Sequence, residues 1–115
     1  MTDPAADAEP AYHLLLAPEE VPVTVTALRL LISDEAHQPE IRRLARSVLD
    51  GLQAEPDEAG VVSVPLTPQE MKITYSAVRL LLNDTQREES DEREILWRIL
   101  NKLPDEHTMR AIILE

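Results

Sequence analysis

Between Val21 and Thr26 apolar and polar side chains alternate strictly, VPVTVT, as in a half-buried strand, and the chain then runs into ALRLL, which favours a helix. A second stretch settles the conflict. LAPEEVPVTVTALRLLISD (16–34) lies over LTPQEMKITYSAVRLLLND (66–84) without a gap, with identity at Leu16/Leu66, Pro18/Pro68, Glu20/Glu70, Thr24/Thr74, Ala27/Ala77, Arg29/Arg79, Leu30/Leu80, Leu31/Leu81 and Asp34/Asp84. In the second copy the identical positions Glu70, Thr74, Ala77, Leu81 and Asp84 advance by alternating steps of four and three, and so do Met71, Tyr75, Val78 and Leu82. Two adjacent stripes at this spacing make one broad buried helix face. Thr67-Pro68-Gln69-Glu70 supplies the start, a capping box with proline at the first helical position.

The first copy repeats the pattern, with Val21, Val25, Leu28 and Ile32 beside Glu20, Thr24, Ala27 and Leu31. Its β-branched run and Pro22 weaken the helix locally, so its start is expected nearer residue 22 than 18. Each copy then breaks and restarts. Gln38-Pro39-Glu40 opens a helix that buries Ile41, Leu44, Ala45, Val48, Leu49 and Leu52 and ends around Gly51. Ser90 is the expected N-cap of the last helix, with Asp91 and Glu92 at the positive end of its dipole and Ile95, Leu96, Ile99, Leu100 and Leu103 on the inner face before Pro104. Pairs four apart, Arg87/Asp91, Glu89/Arg93 and Glu94/Arg98, support its exposed side.

Short apolar segments precede the first helix of each copy, YHLLL (12–16) and VVSVPL (61–66), and a third, RAIILE (110–115), closes the sequence. Their brevity and aliphatic content suit short edge strands. The expectation is therefore a mainly helical α+β fold, β-α-α-β-α-α-β: a tandem repeat with pseudo-twofold symmetry, four helices and short edge strands. The alternative is an all-α four-helix bundle with extended connectors. Residues 1–10 read as a disordered acidic tail and 11–115 as one domain of two repeats, 11–60 and 61–115. Neither copy carries the signature of a tetratricopeptide, ankyrin or leucine-rich repeat.

Composition narrows the chemistry. With Tyr12, Tyr75 and Trp97 as the only aromatic residues and no phenylalanine, the core has to be built from Leu, Ile, Val and Ala. The absence of cysteine excludes disulfides, thiolate metal sites and a cysteine nucleophile, and suits a reducing, cytoplasmic setting. Neither a signal peptide nor a membrane-spanning run is legible. The net charge of −11, from 22 acidic and 11 basic residues, argues against nucleic acid as a ligand, because affinity for it comes mainly from phosphate neutralisation. The one cationic run, IRRLAR with Arg42, Arg43 and Arg46, is flanked by Glu40 and Asp50 and reads first as a solvated helix face, then as a surface for an acidic partner.

Candidate sites are few. The acidic cluster Glu88, Glu89, Asp91 and Glu92 lacks the glycine and the spacing of a calcium loop, and His13, His37 and His107 are isolated from one another, so no metal site and no cofactor are expected. Two glycines, Gly51 and Gly60, build neither a phosphate-cradling loop nor a nucleophile elbow, and no catalytic residue is assigned. The duplicated Glu20/Glu70, Thr24/Thr74 and Asp34/Asp84 read as structural positions first, with Arg29/Arg79 available to pair with them. Trp97 stands where the first copy has Arg46, on the flank of the inner face, and is either the rim of the core or a contact anchor. The expected function is a non-enzymatic protein–protein interaction or regulatory domain, meeting a protein partner or a second copy of itself through Trp97, Arg93 and Arg46. The alternative is an acidic protein that mimics nucleic acid, or neutralises a toxin, by occupying a basic partner.

Overall fold

The computed structural model describes residues 12–33, 39–85 and 89–104. In chain order they form β1 (Tyr12–Leu16), α1 (Glu20–Ser33), α2 (Pro39–Gly51), β2 (Val62–Leu66), α3 (Pro68–Asp84) and α4 (Ser90–Lys102). The fold is α+β and mostly helical, with four helices and a two-stranded antiparallel sheet. Backbone pairing of β1 with β2 sets aside the all-helical alternative. The tail 1–10, the expected third strand at 110–115, and Asp34, His37, Arg87, Glu88 and His107 lie outside the described residues.

VPVTVT is helical. α1 starts at Glu20, two residues ahead of the start expected near residue 22, because Pro22 then falls in the first turn, where a backbone N–H has no intrahelical acceptor to lose. Thr24 and Thr26 each turn the hydroxyl onto the carbonyl four residues back, at 2.8 and 3.0 Å, so the β-branched polar residues are satisfied within the helix. The alternation in the sequence reflects valines on the flanks of a helical face, with Val21, Val23 and Val25 partly buried and Thr24, Ala27, Leu28 and Leu31 fully buried. α3 has the expected capping box: Thr67 Oγ1 accepts from the Glu70 amide at 3.2 Å, and Glu70 Oε1 accepts from the Thr67 amide at 2.9 Å. The last helix departs from expectation. Ser90 is its first residue, and Glu89 holds the N-cap place with no side-chain hydrogen bond to the cap, while Asp91 and Glu92 stand in the first turn at the positive end of the dipole.

α1 and α3 pack on one another, and each also receives α2 and α4. α2 and α4 have no comparable contact with one another, which places them on opposite flanks of the α1–α3 pair. The sheet closes one side, α2 lying against β2 and α4 against β1. Leu14, Leu16, Val62, Val64 and Leu66 point into a single aliphatic core, whereas His13, Leu15, Ser63 and Pro65 face out. Two close approaches fix the connections. A Cβ on Gly51 would stand 3.1 Å from Val64, and Gly60, at φ +82°, turns the chain where a Cβ would come within 2.7 Å of Pro18.

Pro65 decides the polarity of the sheet. It pairs with His13 and has no N–H to donate, so this is a non-hydrogen-bonded pair and, by alternation, so is Leu15–Ser63. The carbonyl of Leu15 therefore points away from β2, and there it accepts from Lys102 Nζ at 2.9 Å. Each free edge is thus blunted, β2 by a proline and β1 by a lysine from α4.

Candidate functional site

Trp97 and Leu15 are the large apolar side chains left exposed among the described residues, at 46% and 54%. They stand on neighbouring elements, Leu15 on β1 and Trp97 on α4. The end of α4 is tied onto β1 twice, by Lys102 Nζ on the Leu15 carbonyl and by the Tyr12 hydroxyl donating to the Lys102 carbonyl. Tyr12, His13, Leu15, Asn101 and Lys102 line the resulting shallow depression. Asn101 is four residues past Trp97, so the indole sits one helical turn away on the same face. Glu94, one turn before Trp97, is exposed as well.

Beneath this surface is the buried carboxylate of Glu20, 1% exposed. It accepts from the Ala17 amide at 2.7 Å and forms an ion pair with Lys102, whose side chain is 36% exposed. Next to it Arg98 Nη1 meets Glu19 Oε1 at 3.2 Å. The carboxyl of Glu19 is held below its ordinary value, chiefly by a hydrogen bond from its own backbone amide. Desolvation opposes this, and Arg98, with a hydrogen bond and its charge, and Lys102, with its charge, add to the lowering. Lys102, the last residue of α4, thus ties α4, α1 and β1 together.

Arg93 has a structural task. Its Nη1 donates to the Leu82 carbonyl and to Thr85 Oγ1, both at 3.1 Å, and so answers the unsatisfied end of α3. Arg46 lies elsewhere, on the exposed side of α2. There a groove of about 430 Å3 runs between α1 and α2. Val25, Leu49 and Leu52 give it an apolar lining and Arg29 and Arg46 a cationic one, with Asp50 the only acid present. Neither Arg29 nor Arg79 makes an ion pair among the described residues, and nor does Arg46.

The structure therefore separates the three residues singled out from the sequence: Trp97 on the α4–β1 surface, Arg93 at the α3–α4 junction and Arg46 in the α1–α2 groove. Leu15, Arg29 and the Glu20–Lys102 pair were not legible as site residues. Three consecutive leucines in β1 show no alternation, and Lys102 is separated from Glu20 by most of the chain. Among the described residues no group of three histidines, aspartates or glutamates comes together to hold a metal ion, and no helix is long and apolar enough to cross a membrane. Comparison of the chain with protein-family models, with characterised proteins and with solved structures gives no match.

Proposed function

We propose that the chain is a non-enzymatic protein–protein interaction domain made of two copies of one β-α-α unit, and that its main contact surface is centred on Trp97. The observation that carries the functional reading is the exposure of Trp97 on α4, a helix whose end is tied to β1 through Lys102 and Tyr12. Half-exposed tryptophan on a pinned helix brings a large apolar contact at little cost in conformational entropy, the property that concentrates binding energy at interfaces. A reducing, cytoplasmic setting suits a chain without cysteine.

The duplicated architecture has support in the strand register. Exchanging each residue with the one fifty positions on converts the pair Tyr12–Leu66 into Leu16–Val62 and His13–Pro65 into Leu15–Ser63, and returns Leu14–Val64 to itself. An antiparallel pair with this property is what a twofold axis through Leu14 and Val64 requires. The helix starts agree: Glu20 and Glu70 each accept from the amide three residues back, and Thr24 and Thr74 each donate to the carbonyl of that glutamate at 2.8 Å.

The functional reading is tested with Trp97→Ala and Leu15→Ser proteins, first shown to be folded by circular dichroism and thermal unfolding, in pull-downs from native lysate at two salt concentrations. Loss of the proteins retained by the unmodified chain is the expected result. Retention of the same set in equal yield by both variants overturns the reading.

A further inference from the structure

The two surfaces described above are unlike each other in a complementary way. On α4, Glu94 and Trp97 are three residues apart and both exposed, with Asp91 exposed a further turn towards the start of the helix. These side chains make an acidic ridge with one aromatic ring. Across the molecule the α1–α2 groove has the opposite character, lined by Val25, Leu49 and Leu52 and by two cations, Arg29 and Arg46, against one acid, Asp50. Both arginines are exposed and unpaired among the described residues, within a chain whose net charge is −11. At about 430 Å3 the groove has room for an indole ring. An arginine can meet such a ring face to face and a carboxylate in the plane of its guanidinium, so Arg29 and Arg46 suit both halves of the ridge.

The ridge cannot occupy the groove of its own molecule, because α2 and α4 lie on opposite flanks of the α1–α3 pair. We infer that the chain associates head to tail with further copies of itself, the Glu94–Trp97 ridge of one copy seated in the Arg29–Arg46 groove of the next. This rests on the interaction reading above and names the partner as a second copy. The contact is heterologous: each copy contributes a different patch, leaving one groove and one ridge open at the ends of a chain of copies unless the rotation closes a ring. Repulsion between two acidic copies opposes the approach. At physiological ionic strength it is screened over a distance of about 8 Å, while charges in direct contact are screened far less.

Sedimentation and light scattering over a concentration series extending to the millimolar range test the inference directly, and Trp97, the only tryptophan, gives an independent optical signal. The average mass is expected to rise with concentration while the Trp97 emission moves to shorter wavelength. Trp97→Ala keeps a groove but loses the ridge; the double variant Arg29→Glu, Arg46→Glu keeps the ridge but loses the groove. Each is expected to remain monomeric alone, and an equimolar mixture to form a dimer that grows no further, since only one competent interface can form. These substitutions are on exposed positions, and circular dichroism establishes that each variant is folded. A wild-type chain that stays monomeric throughout overturns the inference, as does association unaffected by the groove variant, or a mixture that stays monomeric. If self-association fails while Trp97→Ala still loses proteins held by the unmodified chain in the pull-down, the interaction reading stands and the second copy is not the partner. If the chain self-associates in this manner and nothing else is retained, both stand.

Discussion

Glu20 and Glu70 hold the same place in nearly the same local sequence, A-P-E-E against T-P-Q-E, and do the same local work, each accepting from the amide three residues before it. Their surroundings differ. Glu20 is fully buried and paired with Lys102 from the end of α4, whereas Glu70 is half-buried and bonded to the Ser47 hydroxyl, one turn before the end of α2. The comparison separates two levels of determination. The reach of a glutamate back to its cap is set by spacing along the chain. Whether the other side of that carboxylate meets a charge, a hydroxyl or water depends on which helix end is delivered to it.

The pair of sites yields an ordered set of expectations, each measured as the shift in a urea unfolding transition. The largest effect falls on the buried side. Lys102→Met removes the cation paired with a buried carboxylate and is expected to cost about 2–4 kcal/mol, less than for a completely buried pair because Lys102 is itself partly exposed. Ser47→Ala, its counterpart at Glu70, should cost less than about 1 kcal/mol, since water can replace the hydroxyl. Equal losses at the two sites would erase the distinction.

Gly60→Ala comes next, at about 2 kcal/mol. It forces a side chain into a positive φ and against Pro18 at the start of α1, a constraint that acts on the first half alone. The caps follow. Thr67→Ala removes one arm of the capping box and is expected to cost about 1 kcal/mol. The reciprocal change, Ala17→Thr, should alter stability by less than about 0.5 kcal/mol, because the Glu20 amide already donates to the Ala17 carbonyl at 2.9 Å and Glu20 already accepts from the Ala17 amide.

The smallest effect is at Glu19. Its folded value lies below its ordinary 4.5, so its contribution to stability is present above that pH and is lost as the pH falls through the folded value. The pH dependence of stability in Glu19→Gln should accordingly run parallel to that of the unmodified chain near neutrality and diverge only in the acid range. Divergence at neutral pH would assign the effect to another group.

The helical reading of VPVTVT depended on having two copies to compare. Taken alone, Val21 to Thr26 fits a strand; the steps of four and three become visible only where α3 repeats the identities with less valine. The span of α3, its capping box and the positions of β1 and β2 follow the sequence closely, because each rests on contacts within a few residues. The N-cap of α4 was misplaced by one residue, as neighbouring glutamate and serine both suit a helix start. Site residues were less accessible. Trp97 was conspicuous as the one tryptophan, but Leu15 sits among three leucines whose sidedness is fixed only by register, and Arg29 belongs to a groove whose other wall is α2.

By itself the sequence determined where most of the helices and strands form, which stripe of each is apolar, and that Thr67 and Glu70 would cap the start of α3. These are consequences of backbone periodicity and of hydrogen bonds spanning three or four residues. Tertiary structure alone decided that Lys102 meets Glu20 and Leu15, and that Arg29 and Arg46 line one groove. Those juxtapositions join residues distant in the chain, and no local preference encodes them. They arise when amphipathic helices bury their apolar faces together, and that packing sets what the polar remainder will touch.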